Sequence, residues 1–337
     1  MSDLDLVRDL YPERTPDAAA RDRVRDAVAA RTTGRRALAL RRGRLVPALG
    51  TAGLACAVAA VLVVVLAGTS ATVNASAARL FRQAARAAAH ERSIATLGPG
   101  EYLYTKSVST NMSTTGGTRP DGTTWEYSAL VPQVREIWLA ANDTGWLHET
   151  GGTPTFLSDR DRQMWIADGR PNMGTGVSTT RLGGGPSGTV MPSIDLPADP
   201  DALYTRLYDQ ANGNGNGVYP EMFTLIGDAL RENYTTPSQR AALYEVAARL
   251  PGIQLAGRTV DSVGRPALAV GMETNDGHAM NVLLFDPTTY ALLGEQSTVL
   301  AGNPEGYPAG AVVGEATYLE QRVVNAVPAS VVSAAKN

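Results

Sequence analysis

The side chains that most often carry catalysis or bind metals are few and scattered in this sequence. It contains one cysteine, Cys56, and three histidines, His90, His148 and His278. No histidine has a second ligand at the spacing of a known zinc motif, and the glycine-rich segments lack the Lys-Ser or Lys-Thr of a phosphate-binding loop. No Gly-x-Ser-x-Gly segment marks a nucleophilic serine. We therefore predict that the protein is not an enzyme and uses no metal or cofactor.

Large aromatic side chains are the other residues that could form a functional surface. Most of them lie in segments where polar and apolar residues alternate, the pattern of half-buried strands. Such side chains usually build a core, and the alternative is that some of them line a groove for an apolar ligand. The full set is Tyr102, Tyr104, Trp125, Trp138, Trp146 and Trp165, of which Tyr102, Tyr104, Trp138 and Trp146 are the candidate groove residues.

The apolar segment at residues 45–68 precedes these aromatic residues and would determine on which side of a membrane they lie. No Asp, Glu, Lys or Arg occurs between Leu45 and Ala78. As a helix, this segment would span roughly 36 Å, enough for the hydrocarbon core of a bilayer. We predict a transmembrane helix there, and the positive-inside rule then places residues 1–44 in the cytoplasm and residues 69–337 outside it. The topology signal is the arginine cluster Arg35, Arg36, Arg41, Arg42 and Arg44.

A cleaved signal peptide is the alternative interpretation of this segment, because Ala75-Ser76-Ala77 has the small residues that a signal peptidase prefers. However, 44 residues before the apolar core are long for a signal peptide, whose core usually has about 7 to 15 residues. A membrane anchor in a single-pass protein of the cell membrane fits better.

The charges divide the chain in the same place. Residues 1–44 carry 11 Arg and 7 acidic residues, about +4, whereas residues 45–337 carry 19 basic and 26 acidic residues, about −7, which together give the net charge of −3. The large domain therefore lacks the basic excess that nucleic-acid binding requires. The tail could contact anionic membrane lipids. Its few apolar residues predict either a loosely structured tail or one that folds against a partner.

The outer region reads as an α+β domain. Residues 79–95 predict an amphipathic helix, and three further helices are expected from Pro200, Pro220 and Pro237, the last with a capping box at Thr236. The C-terminal third predicts five strands joined by tight turns, which favours an antiparallel meander. Residues 168–200 and 211–217 are predicted loops, and the alternating charges of residues 159–162 are typical of a solvated turn.

Several motifs resemble those of an uncharacterised actinobacterial single-pass membrane family whose members are often encoded beside extracytoplasmic-function sigma factors. They are Asp3 to Arg8, Ala248 to Gly252, Gly264 to Ala267 and Leu284 to Pro287. This resemblance implies a membrane-anchored regulatory or sensor protein whose residues 1–44 contact a cytoplasmic sigma factor. Residues 1–55 contain no His or Cys, so such a contact would not use the zinc motif of many anti-sigma factors.

The pattern over residues 79–327 is similar to the lipoprotein-carrier and sigma-regulator-sensor fold. This second resemblance implies a curved antiparallel sheet, like half a barrel, with packed helices and an apolar groove for lipid or peptide. The expected architecture is therefore one transmembrane helix followed by such an α+β domain. The alternative function is a binding or carrier module for lipid or another apolar ligand without a role in signalling.

Overall fold

The computed structural model describes residues 73–90, 97–142, 144–183, 196–213, 217–231, 235–274 and 276–335. The predicted tail, its arginine cluster and the predicted transmembrane helix at 45–68 lie outside these ranges. Within them, no helix has both the length and the apolar character needed to cross a membrane.

The described residues form an α+β fold with six helices and nine strands. The helices are α1 (Ala75–His90), α2 (Asp159–Ala167), α3 (Pro200–Ala211), α4 (Val218–Arg231), α5 (Pro237–Ala247) and α6 (Ala329–Ala334). The strands are β1 (Tyr102–Thr118), β2 (Thr124–Leu139), β3 (Gly145–Gly151), β4 (Gly176–Leu182), β5 (Gln254–Val260), β6 (Pro266–Glu273), β7 (Ala279–Phe285), β8 (Leu292–Val299) and β9 (Val312–Val324).

All nine strands belong to one open antiparallel sheet in the order β4-β3-β2-β1-β9-β8-β7-β6-β5. Strands β1 to β4 form one half and β5 to β8 form the other. The halves meet where β1 pairs with β9, from Tyr102 opposite Val324 to Asn111 opposite Gly314. The predicted α+β class and the predicted meander are confirmed, whereas the likeness to half a barrel stays a prediction.

The main core lies between the β5–β8 half and the helices α1, α3, α4 and α5. At its centre, the fully buried Phe81 of α1 contacts three aromatic rings, those of Phe223, Tyr244 and Phe285, at centroid distances of 6.4, 6.4 and 5.7 Å. Edge-to-face and offset aromatic pairs add to the free energy gained from burial alone. This cluster therefore fixes the helices on one face of the sheet.

The predicted capping box of α5 is confirmed. The Thr236 hydroxyl accepts a hydrogen bond from the Gln239 backbone N–H at 3.2 Å, and the Gln239 side chain accepts one from the Thr236 N–H at 2.9 Å. These contacts satisfy backbone donors that a helix start leaves without intrahelical partners. Pro237 occupies the first turn, as the sequence predicted.

Two predictions of irregular structure were wrong. Residues 176–182, within the predicted loop 168–200, form the edge strand β4, which pairs with β3 along its whole length. Only Thr179 of β4 is buried, so main-chain hydrogen bonds hold a strand that has no apolar pattern. Residues 159–162 begin helix α2 rather than a solvated turn, because Ser158 caps the helix and also donates a hydrogen bond to the buried Asp161 carboxylate at 2.6 Å.

Two of the motifs behind the family resemblance, Gly264 to Ala267 and Leu284 to Pro287, lie at turns between neighbouring strands, whereas Asp3 to Arg8 lies outside the described residues. The Arg265 guanidinium donates to the buried Asp261 carboxylate at 2.6 Å and to the carbonyl oxygens of Leu293 and Tyr318 at 3.3 and 3.0 Å. The Asp286 carboxylate accepts from two backbone N–H groups of the next turn. These residues have a structural role in the described domain.

Candidate functional site

The four candidate groove residues come together on one face of the β1–β4 half. Strand register places Tyr104 opposite Trp138 and Trp138 opposite Trp146. Directly opposite residues of antiparallel strands project to the same face. The Tyr104 and Trp138 rings lie 5.2 Å apart, and the Tyr102 ring meets Trp146 edge-on at 5.8 Å. We call these four side chains the aromatic row.

An arginine stands at each end of this row. Arg322 of β9 is opposite Tyr104, and Arg181 of β4 is opposite Trp146. The Arg322 guanidinium lies 5.0 Å from the centre of the Tyr104 ring, within the range of a cation–π interaction. Because Arg322 is also paired with the Glu320 carboxylate, the row combines apolar area with a paired cation at one end and with Arg181 at the other.

The aromatic row is covered by the C-terminal segment of the chain. Val331 of α6 is buried against Tyr104 and Trp138, and Val327 packs beside it. Tyr104 and Trp138 are consequently buried, while Tyr102 and Trp146 stay half-buried. The four residues predicted to line a groove therefore lie together on one surface. Val331 and Val327 of the same chain cover that surface.

A polar layer borders the aromatic row on the same face. The Tyr104 hydroxyl donates to the Glu136 carboxylate at 2.5 Å, and the Lys106 ammonium lies 3.7 Å from that carboxylate. Burial, followed by the hydrogen bond to Glu136, raises the pKa of Tyr104. The phenol therefore stays protonated at neutral pH and serves as a hydrogen-bond donor that orients Glu136.

The histidines do not assemble a recognisable reactive centre. The His148 Nδ1 atom lies 2.8 Å from the Thr179 hydroxyl of the neighbouring strand, which fits a strand residue with a satisfied ring nitrogen. His90 is the last residue of α1 and is exposed, and His278 lies in the turn before β7. Within the described ranges, no group of three or more His, Cys, Asp or Glu side chains is placed to hold a metal ion.

The two remaining tryptophans belong to a separate cluster beneath α2. Trp125 stacks on Tyr127 at 5.6 Å, and Trp165 donates from its indole nitrogen to the Pro171 carbonyl at 3.0 Å. The Tyr127 hydroxyl donates to Asp168 at 2.6 Å, and burial together with this contact raises the pKa of Tyr127 to about 12. These aromatic residues fix α2 on the sheet, in agreement with the core interpretation.

Sequence reasoning missed a polar cleft between α4 and the opposite face of the sheet. The cleft has a volume of about 190 Å³, and its floor includes Asn111, Asn281, Glu295 and Ser297. Its wall is α4, from which Arg231 reaches Glu295 at 2.8 Å. One signal was present in the sequence, because Asn281 has the same strand parity as the core residues Leu283 and Phe285.

Comparisons with known proteins add little beyond this geometry. No protein-family model matches the sequence, and no curated protein matches it. The solved structures that resemble the fold include the crystal structure of a domain named for outer membrane lipoprotein sorting, from Vibrio parahaemolyticus. It shares 8% identity at a TM-score of 0.21, over 75% of this chain and 96% of that chain. A likeness at this TM-score carries no argument, and the resemblance to the actinobacterial family stays a prediction.

Proposed function

We propose that this protein is a membrane-anchored sensor. In this proposal, residues 69–337 lie outside the cytoplasm and bind an apolar ligand on the aromatic row. Residues 45–68 anchor the chain, and residues 1–44 contact a cytoplasmic sigma factor. The observation that carries the proposal is the aromatic row itself, in which four large side chains from three strands share one face under a short cover.

The cover has the properties of a segment that a ligand could displace. Helix α6 has six residues and no side-chain hydrogen bond at its N-cap, and helices shorter than about 12 residues have little stability of their own. Its attachment to the row depends on Val331, and a fully buried valine contributes about 1.5 to 3 kcal/mol. A ligand that buries more apolar area on Tyr104 and Trp138 would therefore compete with it.

The topology of the proposal is supported by the sequence. The arginine cluster precedes a charge-free apolar segment, a pattern typical of a cytoplasmic N-terminus. The tail has too few apolar residues to fold alone, which leaves a loosely structured tail or one that folds against a partner, and the proposal takes the second. A sigma factor is proposed as that partner because of the family resemblance.

The test compares two neighbouring valines in the full-length protein in its own membrane. Val331→Asp should release α6 from the aromatic row, because a charged side chain cannot be buried against two aromatic rings without a large desolvation cost. Val332→Asp is the matched control, since Val332 is 46% exposed whereas Val331 is 6% exposed. We expect Val331→Asp, but not Val332→Asp, to change transcription from promoters of the sigma factor that the family resemblance leads us to propose as the partner.

Deleting residues 1–34, which keeps the arginine cluster that sets the topology, separates signalling from binding. The proposal requires that this deletion abolish the response to Val331→Asp, and that a photoreactive residue at Val24 crosslink to the sigma factor. If transcription is unchanged by Val331→Asp and also by the deletion, while solvent extraction recovers lipid from the purified full-length protein, the sensor proposal is wrong. The carrier alternative then stands in its place.

A further inference from the structure

The polar cleft lies on the face of the sheet opposite the aromatic row and is built on one straight row of residues. Register places Asn281 opposite Ser297, Ser297 opposite Gly314, and Gly314 opposite Asn111. These four positions cross strands β7, β8, β9 and β1. Because neighbouring strands lie about 4.8 Å apart, Asn281 and Ser297 are separated by about that distance, whereas Gly314, which has no side chain, lies between Ser297 and Asn111.

Two of these groups have unused hydrogen-bonding capacity. The Asn281 amide and the Ser297 hydroxyl are half-buried, and neither side chain bonds to another residue in the described ranges. An amide supplies two donors and an acceptor, and a hydroxyl can both donate and accept. Polar groups that are partly removed from water without partners favour a ligand that satisfies them.

The Arg231 cation of the cleft is already paired within the protein. The Arg231 guanidinium contacts both Asp228 and Glu295 at 2.8 Å. An anionic ligand would have to compete with two carboxylates for this cation. A fully apolar ligand would cover the amide and hydroxyl groups and leave them unsatisfied, at a cost of about 1 to 3 kcal/mol for each group. The cleft therefore disfavours anions and fully apolar molecules and favours a ligand with many hydrogen-bonding groups.

Two glycines keep the cleft open. A methyl group on Gly227 of α4 would lie 3.7 Å from both Glu295 Oε2 and Leu283 Cδ2, and a methyl group on Gly314 would lie 3.7 Å from Ser297 Cβ. The volume of about 190 Å³ is below the range of about 300 to 1,000 Å³ that is common for drug-sized ligands. It suits one small ring at a time, either alone or at the end of a longer chain.

We propose that this cleft is a saccharide-binding site. A sugar ring is neutral and carries several neighbouring hydroxyl groups, each of which can donate and accept a hydrogen bond. The Asn281 amide and the Glu295 carboxylate are suited to bind adjacent hydroxyls, and Ser297 extends the contact along the floor. The Asn111 amide nitrogen already donates to Ser109 and Gln133, so Asn111 could offer its amide oxygen. The site is separate from the aromatic row and does not depend on the sensor proposal.

The experiment measures sugar binding to the full-length protein in a detergent that has no sugar headgroup. Glucose, galactose, mannose, arabinose, N-acetylglucosamine and their disaccharides are tested by saturation-transfer NMR, and the strongest binder is then titrated. We expect Asn281→Leu, which keeps the branched shape of the side chain but removes the amide, to weaken binding of that sugar about tenfold or more, as the loss of hydrogen bonds worth about 1.4 kcal/mol implies. Thr118→Val, at an exposed position far along β1, is the control and should bind like the wild type.

Two further variants test whether weaker sugar binding results from unfolding of the protein. Ser297→Ala removes one hydroxyl and should weaken binding less than Asn281→Leu. Gly227→Ala should raise the thermal midpoint, because alanine stabilises a helix interior relative to glycine, and should also weaken sugar binding by narrowing the cleft. Reduced binding by a more stable variant is not explained by unfolding.

The proposal is overturned if no sugar of the panel binds, or if a sugar binds equally well to the wild type and to Asn281→Leu. It is also overturned if an end-blocked tripeptide binds there and the sugars do not, which would make the cleft a peptide site. Val331→Asp, which acts on the aromatic row, should leave sugar binding unchanged. Failure of this proposal and failure of the sensor proposal are therefore distinguishable.

Discussion

The two halves of the sheet use their buried faces differently. In the β5–β8 half, aliphatic and aromatic side chains join four helices in one continuous apolar core. In the β1–β4 half, the aromatic side chains form smaller clusters that adjoin charged residues, such as Glu136 beside Tyr104 and Arg322 over its ring. The β5–β8 half therefore contributes mainly to stability. The β1–β4 half instead places apolar side chains next to charged ones beneath the short helix α6. We expect substitutions to separate these two roles.

The largest effect is expected in the centre of the helix-covered half. Phe81→Ala removes a fully buried ring that contacts three others and leaves a cavity, so it should lower the free energy of unfolding by about 3 to 5 kcal/mol. Phe156→Ala is the comparison in the other half, where the Phe156 ring is partly buried and packs on Trp165 at 5.2 Å. Urea unfolding of the full-length protein measures both. Equal losses would show that the halves do not differ in the way proposed here.

An intermediate effect is expected at the turn that ties the strands together. Arg265→Met keeps an unbranched, largely apolar stem but removes the hydrogen bonds to the Asp261 carboxylate and to two carbonyl oxygens. Because hydrogen bonds to charged groups contribute about 1.5 to 3 kcal/mol, stability should fall by a similar amount. Arg258→Met, at an exposed position in β5, is the control and should change stability little. An unchanged free energy of unfolding for Arg265→Met would mean that water replaces these hydrogen bonds.

The sequence predicted the β5–β8 half well because its signals are local. Proline starts, a capping box and strongly apolar strands each reveal an element without knowledge of its neighbours. The order of the strands could not be predicted from the sequence, because the pairing of β1 with β9 joins residues more than 200 positions apart. Pairing over that distance depends on the whole chain rather than on any short pattern.

The site was predicted only in part for the same reason. Strand alternation identified the aromatic row, but the packing of Val331 on it depends on how the C-terminal segment returns to the sheet. The cleft was missed because Asn281 and Ser297 are ordinary polar residues until α4 is placed above them. Strand β4 was missed because edge strands need no apolar pattern when the backbone supplies the pairing.

The smallest effect is expected where the two halves meet, at Glu315 of β9. Glu315 lies opposite Thr110 of β1 and Gln296 of β8. Burial raises the pKa of this carboxyl above its ordinary value of 4.5, although hydrogen bonds to Gln296 and Thr110 partly oppose that shift. The folded protein therefore holds this proton more tightly than the unfolded chain does. The contribution of Glu315 to stability is complete below pH 4.5 and is lost as the pH rises through the raised pKa.

Glu315→Gln tests this assignment because glutamine has nearly the same shape and stays neutral at every pH. The free energy of unfolding of the variant minus that of the wild type should increase as the pH rises from 4 toward 7, and the variant should be the more stable protein at neutral pH. Urea titrations at several pH values measure this difference, in which the titration of all other groups cancels. A difference that does not change with pH would show that the pKa of Glu315 is the same in the folded protein and in the unfolded chain. In that case the junction between the two halves does not bury this carboxyl strongly enough to outweigh its hydrogen bonds with Gln296 and Thr110.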